Sequence, residues 1–395
     1  METRPAPDPA PARLYALDNL RALMMWLGIV LHVGIIHMVQ NAPLPWRDDR
    51  RTALMDLVVP FIHAFRMPVF FILAGFFVAL LLQSRGASGM ARHRAMRLAL
   101  PFVVFWPVVY AASVVFALLY LHRIQHGTWG MDPNVRVKAP DGQEAGLNTM
   151  HMWFLWVLFI ICMLTAVAAR WLPKSLWVVP ARVLQGLGGA WWGPVVLALP
   201  LVAVGLGHPF GLMRPSGRFL PPLTEFLHNG LFFAFGLALF HQQWDLFALY
   251  KRRWPGYAIA GVVPFIATGA LMEAKAAAVW TGFAYNLATW LWSFAAIGLA
   301  LRFLDKRHAV LGYLADSSYW VYLIHMPLTI GFGALLYGTP LPALAKILIN
   351  IAATTVVCVA TYHLLVRFTW VSVLLNGKRH PRPARPSSGA IHASP

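Results

Sequence analysis

The side chains best suited to chemistry are histidines and arginines set into long apolar stretches. In "LDNLRALMMWLGIVLHVGIIHM", Leu17 to Met38, Arg21 and His32 are eleven residues apart. At about 100° per residue that is roughly three turns, so both lie on one stripe of a helix, separated by roughly 16 Å of rise. Asp18 precedes them and His37 follows. A cation at a membrane mouth with an imidazole near mid-bilayer is one reading. Ionisable groups at such depth face a polar cavity and work there, unless they only hydrogen-bond a neighbouring helix.

Four more groups follow. His63 and Arg66 are three apart in "FIHAFRMPVFF", on one helical face, with Pro68 and Gly75 beyond. A buried Arg needs a carboxylate or carbonyl partner, and Asp56, Glu225 and Glu273 are the candidates. Arg94 and Arg97, in "ARHRAMRLALPF", are again three apart, with Arg92 and His93 beside them. Arg suits multidentate contact with phosphate, though Arg at a helix end is also the ordinary topology signal. His151 stands beside Trp153 and Trp156, which form either an interfacial belt or a platform for sugar rings. His325 precedes Pro327, where an unwound helix would free carbonyls to line a cavity. Asp316, nine residues earlier, falls on the opposite side of that helix and is no obvious partner for His325.

The elements that position these groups follow from composition. The chain has 395 residues, is 59% hydrophobic and only 12% charged, whereas a soluble domain carries about a quarter charged residues. The fold class is therefore all-α: a polytopic membrane protein with about ten transmembrane helices in one bundle. Spans are expected at roughly 19–39, 58–83, 98–121, 151–171, 193–211, 226–243, 256–273, 279–301, 312–336 and 343–366. Pro200 and several glycines make the fifth the least regular, and Pro327 predicts a kink in the ninth.

Lys and Arg concentrate in the loops on the side of the two termini, while Asp and Glu favour the other side. The positive-inside rule then makes both termini cytoplasmic, in a bacterial inner membrane. The net charge of +18 is scattered through loops, which argues against a nucleic-acid partner. Residues 1–17 read as a disordered cytoplasmic tail, 18–370 as the transmembrane domain and 371–395 as a basic, Pro-rich tail. The polar loop 122–150 lies on the far side. Cys162 and Cys358 sit in apolar spans, so neither a disulfide nor a metal site is expected. Serine-hydrolase, Walker and zinc-protease patterns do not occur in a fitting context.

Taken in order, the Arg-x10-His pair, "RMPVFFILAGFF", Arg-x-x-Arg before Pro, "HMWFL" and "SYWVYLIHMPL" resemble the membrane acyltransferase-3 family. The likeness is nearest to its stand-alone members, which succinylate osmoregulated periplasmic glucans, and it covers most of the ordered chain. It implies an acyl-CoA co-substrate, succinyl-CoA in the nearest members, on the cytoplasmic side. It also implies a sugar hydroxyl acceptor on the periplasmic side and no permanently bound cofactor. Carried onto this chain, Arg21, Arg94 and Arg97 would bind acyl-CoA, and His32 and His325 would be catalytic. His63, Arg66, His151 and Trp153 would serve the acceptor or the oxyanion. Direct transfer and transfer through an acyl intermediate both remain open. A polysaccharide or proton-coupled transporter is the alternative reading, as is a silent scaffold of a glucan-export complex. Absent repeats and the scarcity of acidic residues inside spans argue against the transporter.

Overall fold

A computed structural model describes residues 14–40, 44–132, 146–173, 175–306 and 308–381. Twelve helices follow one another: α1 (Tyr15–Ile36), α2 (Ala53–Arg94), α3 (Leu100–His126), α4 (Trp153–Trp171), α5 (Ser175–Gly189), α6 (Gly193–Gly205), α7 (Leu223–His241), α8 (Gln243–Glu273), α9 (Ala278–Phe303), α10 (Ala309–Leu336), α11 (Ala343–Thr361) and α12 (Trp370–Asn376). A π-helical turn, Ala95–Ala99, joins α2 to α3, and another, Tyr362–Val366, extends α11. Among the described residues there is no strand.

Among the described residues, eight helices are long and apolar enough to cross a membrane. One of them, Ala53–His126, has 74 residues, about 110 Å of helix against a hydrocarbon core of about 30 Å. It is broken at Gly86, whose φ of 68° and ψ of 179° only glycine adopts readily. By length it holds two of the expected spans. The fifth expected span is shorter than its hydropathy suggested: α6 has 13 residues, about 20 Å, too little to cross alone. The helix α5 was not anticipated at all. Pro180 and paired glycines masked a short helix whose Leu176, Trp177, Val178 and Val179 are exposed.

Helices in lipid gain little from burying apolar surface against one another, so close approach and polar bonds decide which pairs meet. Gly75 of α2 and Gly236 of α7 show the first device. A Cβ on Gly75 would land on the Phe233 carbonyl, and one on Gly236 on the Ile72 carbonyl. The second device joins α1 to its neighbours: Asn19 Nδ2 donates to Leu304 O at 2.8 Å, and Trp26 Nε1 to Leu314 O at 3.2 Å.

Both described ends of the chain lie at one face of the bundle with the Gly86–Arg97 segment: Arg97 bonds α12, and Arg94 stands within electrostatic range of Arg21 near the start of α1. The tail expected from residue 371 is structured at first. Helix α12 is capped by Thr369, and Asp316 binds Lys378 at 3.0 Å and His380 at 3.1 Å. Asp316 therefore serves the C-terminal segment. Residues 1–13, 133–145 of the 122–150 loop and 382–395 lie outside the described residues, so the tails expected there are not described.

At the opposite face, the loop between α1 and α2 is fastened to α11 by a buried ion cluster. Lys346, fully buried, reaches Asp48 at 3.0 Å and Asp49 at 2.6 Å. His37 Nδ1 faces Arg50 O at 2.8 Å, and Gly338 N donates to Asp49.

Candidate active site

Three histidines from three helices meet inside the bundle. The ring centroids of His32 (α1) and His325 (α10) are 5.1 Å apart, those of His151 and His325 5.2 Å, and those of His32 and His151 6.4 Å. His151 lies on the 3₁₀ turn Met150–Met152 that opens α4. Sequence spacing placed each near its own helix; only the fold brings the rings together.

Hydrogen bonding fixes two of the three tautomers. His325 Nδ1 lies 3.0 Å from Val321 O and 2.9 Å from Tyr322 O. His151 Nε2 lies 3.2 Å from both Tyr322 O and Leu323 O. A carbonyl can only accept, so these nitrogens carry the protons. That leaves His325 Nε2 and His151 Nδ1 as lone-pair nitrogens, both buried and unpartnered. His32 makes no hydrogen bond among the described residues, and its Nδ1 is buried and unpartnered too. His325 is 1% exposed, whereas His32 is half-buried.

The helix around His325 does not unwind. Pro327 sits within a continuous α10, and its missing N–H frees only the Leu323 carbonyl. His151 takes up that carbonyl. In return, Tyr322 Oη donates to His151 O at 3.0 Å.

Arg66 projects from α2 into the same space, 8% exposed, with Nε unpartnered. The carboxylate partner expected for it is absent among the described residues. Asp56 accepts from Gln40 N at 3.1 Å, and Glu225 accepts from Ser216 N at 3.1 Å and Ser216 Oγ at 2.8 Å. Gly28 makes the room: a Cβ there would stand 2.9 Å from Arg66 Nη1 and 3.2 Å from His325 Nε2. An uncompensated guanidinium beside three free imidazole nitrogens offers a donor for developing negative charge and bases for an incoming proton.

Arg21, Arg94 and Arg97 all lie at the terminal face but are not equivalent. Arg21 is exposed, 3.5 Å from Asp18 and over the Phe77 ring at 5.9 Å. Arg94 is half-buried with Nε unpartnered and stands within electrostatic range of Arg21 and Cys162. Arg97 instead grips the C-terminal segment. Its Nη1 donates to Val373 O and Leu374 O, both at 2.9 Å, and its carbonyl accepts from Tyr319 Oη at 2.6 Å.

His63 and Trp153, both half-buried, line a cavity of about 30 Å³ toward the opposite face. Its other polar walls, His228, Asn229, Asn286 and Thr289, were missed by sequence reasoning. The available signal was polar side chains interrupting apolar helices, in "FLHNG" and "YNLAT". Among the described residues, no group of three or more His, Cys, Asp or Glu is arranged to hold a metal ion.

A family model described as "Acyltransferase domain" matches residues 14–363, which include every residue of this site. Glucans biosynthesis protein C of Salmonella gallinarum (strain 287/91 / NCTC 13346) is 26% identical over 391 residues, covering 94% of this chain and 96% of the relative. The protein of the same name from Salmonella schwarzengrund (strain CVM19633) is 26% identical over 385 residues, with the same coverage. No solved structure matches the chain. A match that takes in all the long apolar helices places the chain in the acyltransferase-3 family, as a multi-pass membrane acyltransferase.

Proposed function

We propose that the protein moves an acyl group, succinyl in the first instance, from cytoplasmic acyl-CoA to sugar hydroxyls of a periplasmic glucan. The observation that carries this reading is the meeting of His32, His151 and His325 around Arg66 without a carboxylate. The glucan acceptor is suggested by the names of the relatives, and acyl-CoA and succinyl by the family resemblance. Cytoplasmic termini, in an inner membrane, follow from the loop charges.

In this reading Arg94 and Arg21 hold the phosphates of the donor. Arg97 adds its charge while Nη1 stays on α12. The pantetheine arm runs along α1, where roughly 16 Å of rise separates Arg21 from His32. His32 takes the proton of the incoming hydroxyl as its oxygen attacks the thioester carbonyl. Arg66 donates to the oxyanion, the C–S bond breaks, and the departing thiolate receives that proton. Base catalysis of this kind contributes about 10²–10⁴-fold, and one oxyanion donor about 10²–10³-fold. His325, tied to its own helix, and His151, tied to α10, position the groups around His32.

The test is purified protein in nanodiscs with succinyl-CoA, acetyl-CoA and a glucose oligosaccharide, read by mass spectrometry of the sugar. A mass gain of one succinyl group is expected. Export of unmodified glucan by cells, with no transfer from any acyl-CoA in nanodiscs, would favour a transporter instead.

A further inference from the structure

The cavity behind the histidines is walled by three helices. His63 comes from α2, His228 and Asn229 from α7, and Asn286 and Thr289 from α9. Trp153 closes one side, and Met213 and Pro215, from the loop before α7, roof it on the face opposite the termini. Its borders touch the reaction centre. Arg66 follows His63 by one turn, and Trp153 follows His151 by two residues.

Two polar atoms in these walls have no partner. Thr289 is 2% exposed, and its Oγ1 makes no hydrogen bond; His228 Nδ1 is likewise buried and unpartnered. Leaving a buried hydroxyl without a partner is destabilising, so such groups persist where a ligand or water satisfies them. No Asp, Glu, Lys or Arg lines the cavity. A charged ligand would find no counter-charge there, whereas a neutral hydroxyl would find donors, acceptors and an indole face. A volume of about 30 Å³ admits a water or two, or one hydroxyl-bearing arm, and not a whole sugar ring.

We propose that this chamber is a subsite for a neutral hydroxyl arm of the acceptor, with Thr289 and His228 as its hydrogen-bonding groups and Trp153 as its apolar wall. It rests on the acyltransferase reading for the acceptor's identity, yet it concerns residues that reading leaves unused. The arm anchored here would hold a neighbouring hydroxyl of the same sugar toward His32.

Thr289→Val separates this role from a structural one, because the substitution keeps the shape and removes only the hydroxyl. Equilibrium binding of a glucose oligosaccharide to protein in nanodiscs, without donor, is measured by calorimetry alongside thermal stability. Five- to tenfold weaker binding by Thr289→Val is expected, with stability unchanged, native-like binding by Thr289→Ser, and a similar loss for His228→Ala. Unchanged binding by Thr289→Val, with stability equal or higher, would overturn the proposal and leave the chamber to water. Failure of the unmodified protein to bind the sugar would overturn it as well. Sugar binding that depends on Thr289, without transfer from acyl-CoA, would keep the subsite and remove the acyltransfer mechanism.

Discussion

His151 donates from Nε2 to the Leu323 carbonyl at 3.2 Å, and it can do so because Pro327, four residues on, has no N–H to give. The proline's effect is thus felt on another helix. It frees one acceptor on α10, which fixes the tautomer and direction of a ring at the start of α4.

Replacing Pro327 by Ala would return an N–H to that carbonyl and put it in competition with His151. Transfer is expected to fall about tenfold, equivalent to about 1.4 kcal/mol in the barrier. Thermal stability should hold or rise, since the helix regains a ladder bond. Steady-state kinetics with a melting curve on the same preparation checks this. Full activity in Pro327→Ala would show that Tyr322 O alone orients His151.

Burial and bonding divide the labour between the two histidines carried on α1 and α10. His32 is half-buried and unbonded, free to meet a substrate, while His325 is buried and held by Val321 O and Tyr322 O. His32→Ala should therefore abolish transfer with donor binding largely intact, the mark of an interaction made only in the transition state. His325→Ala should retain measurable turnover and need more acceptor. Turnover by His32→Ala with none by His325→Ala would make His325 the base.

Much of this arrangement could be read from the chain before the fold was known. Hydropathy located the long helices, and His32, Arg66, His151 and His325 were singled out because ionisable residues inside apolar spans are costly. Contacts between distant helices could not be read. Arg66 was expected beside a carboxylate, but Asp56 and Glu225 are taken by Gln40 and Ser216 in loops whose paths leave no periodic signal. Lys346 shows the same limit. A single charge near the start of an apolar helix, it meets two carboxylates almost 300 residues earlier in the chain. The polar walls of the second cavity were passed over because uncharged Asn and Thr inside a membrane helix also fit ordinary helix–helix hydrogen bonding.

The two arginines of the Arg-x-x-Arg pair should separate on mutation. Arg94→Ala should weaken acyl-CoA binding, with a loss that shrinks at high salt because screening already weakens phosphate contacts. Arg94→Lys should restore it only partly. Arg97→Ala should lower thermal stability by about 1–3 kcal/mol, because the Val373 and Leu374 carbonyls lose their donor. Donor titrations beside melting curves distinguish the two. Equal effects of both variants on binding, and none on stability, would make Arg97 a ligand residue first and a clamp second.

The ion cluster at the opposite face gives a pH dependence with a definite sign. Asp48 and Asp49 share one buried ammonium, so one carboxyl must yield. Burial pushes the Asp48 carboxyl up to about 6, from 3.8 for a free side chain. Asp49 is desolvated as well, but its hydrogen bond from Lys346 holds it down to about 2. Between pH 4 and 6 the folded protein keeps a proton on Asp48 that the unfolded chain releases, so this group's contribution to stability falls as pH rises. A shift of that size corresponds to about 3 kcal/mol as a ceiling. Asp48→Asn cannot titrate and lacks this slope. Burial lowers His37, which makes stability fall below pH 6.5, but His37 is present in both proteins and largely cancels in their difference. The melting temperature of Asp48→Asn relative to the unmodified protein should therefore rise from pH 4 to 6 and level off above about 7. Scanning fluorimetry in detergent across that range reads the difference directly. A gap that moves against the variant as pH rises would mean that Lys346 keeps Asp48 ionised throughout.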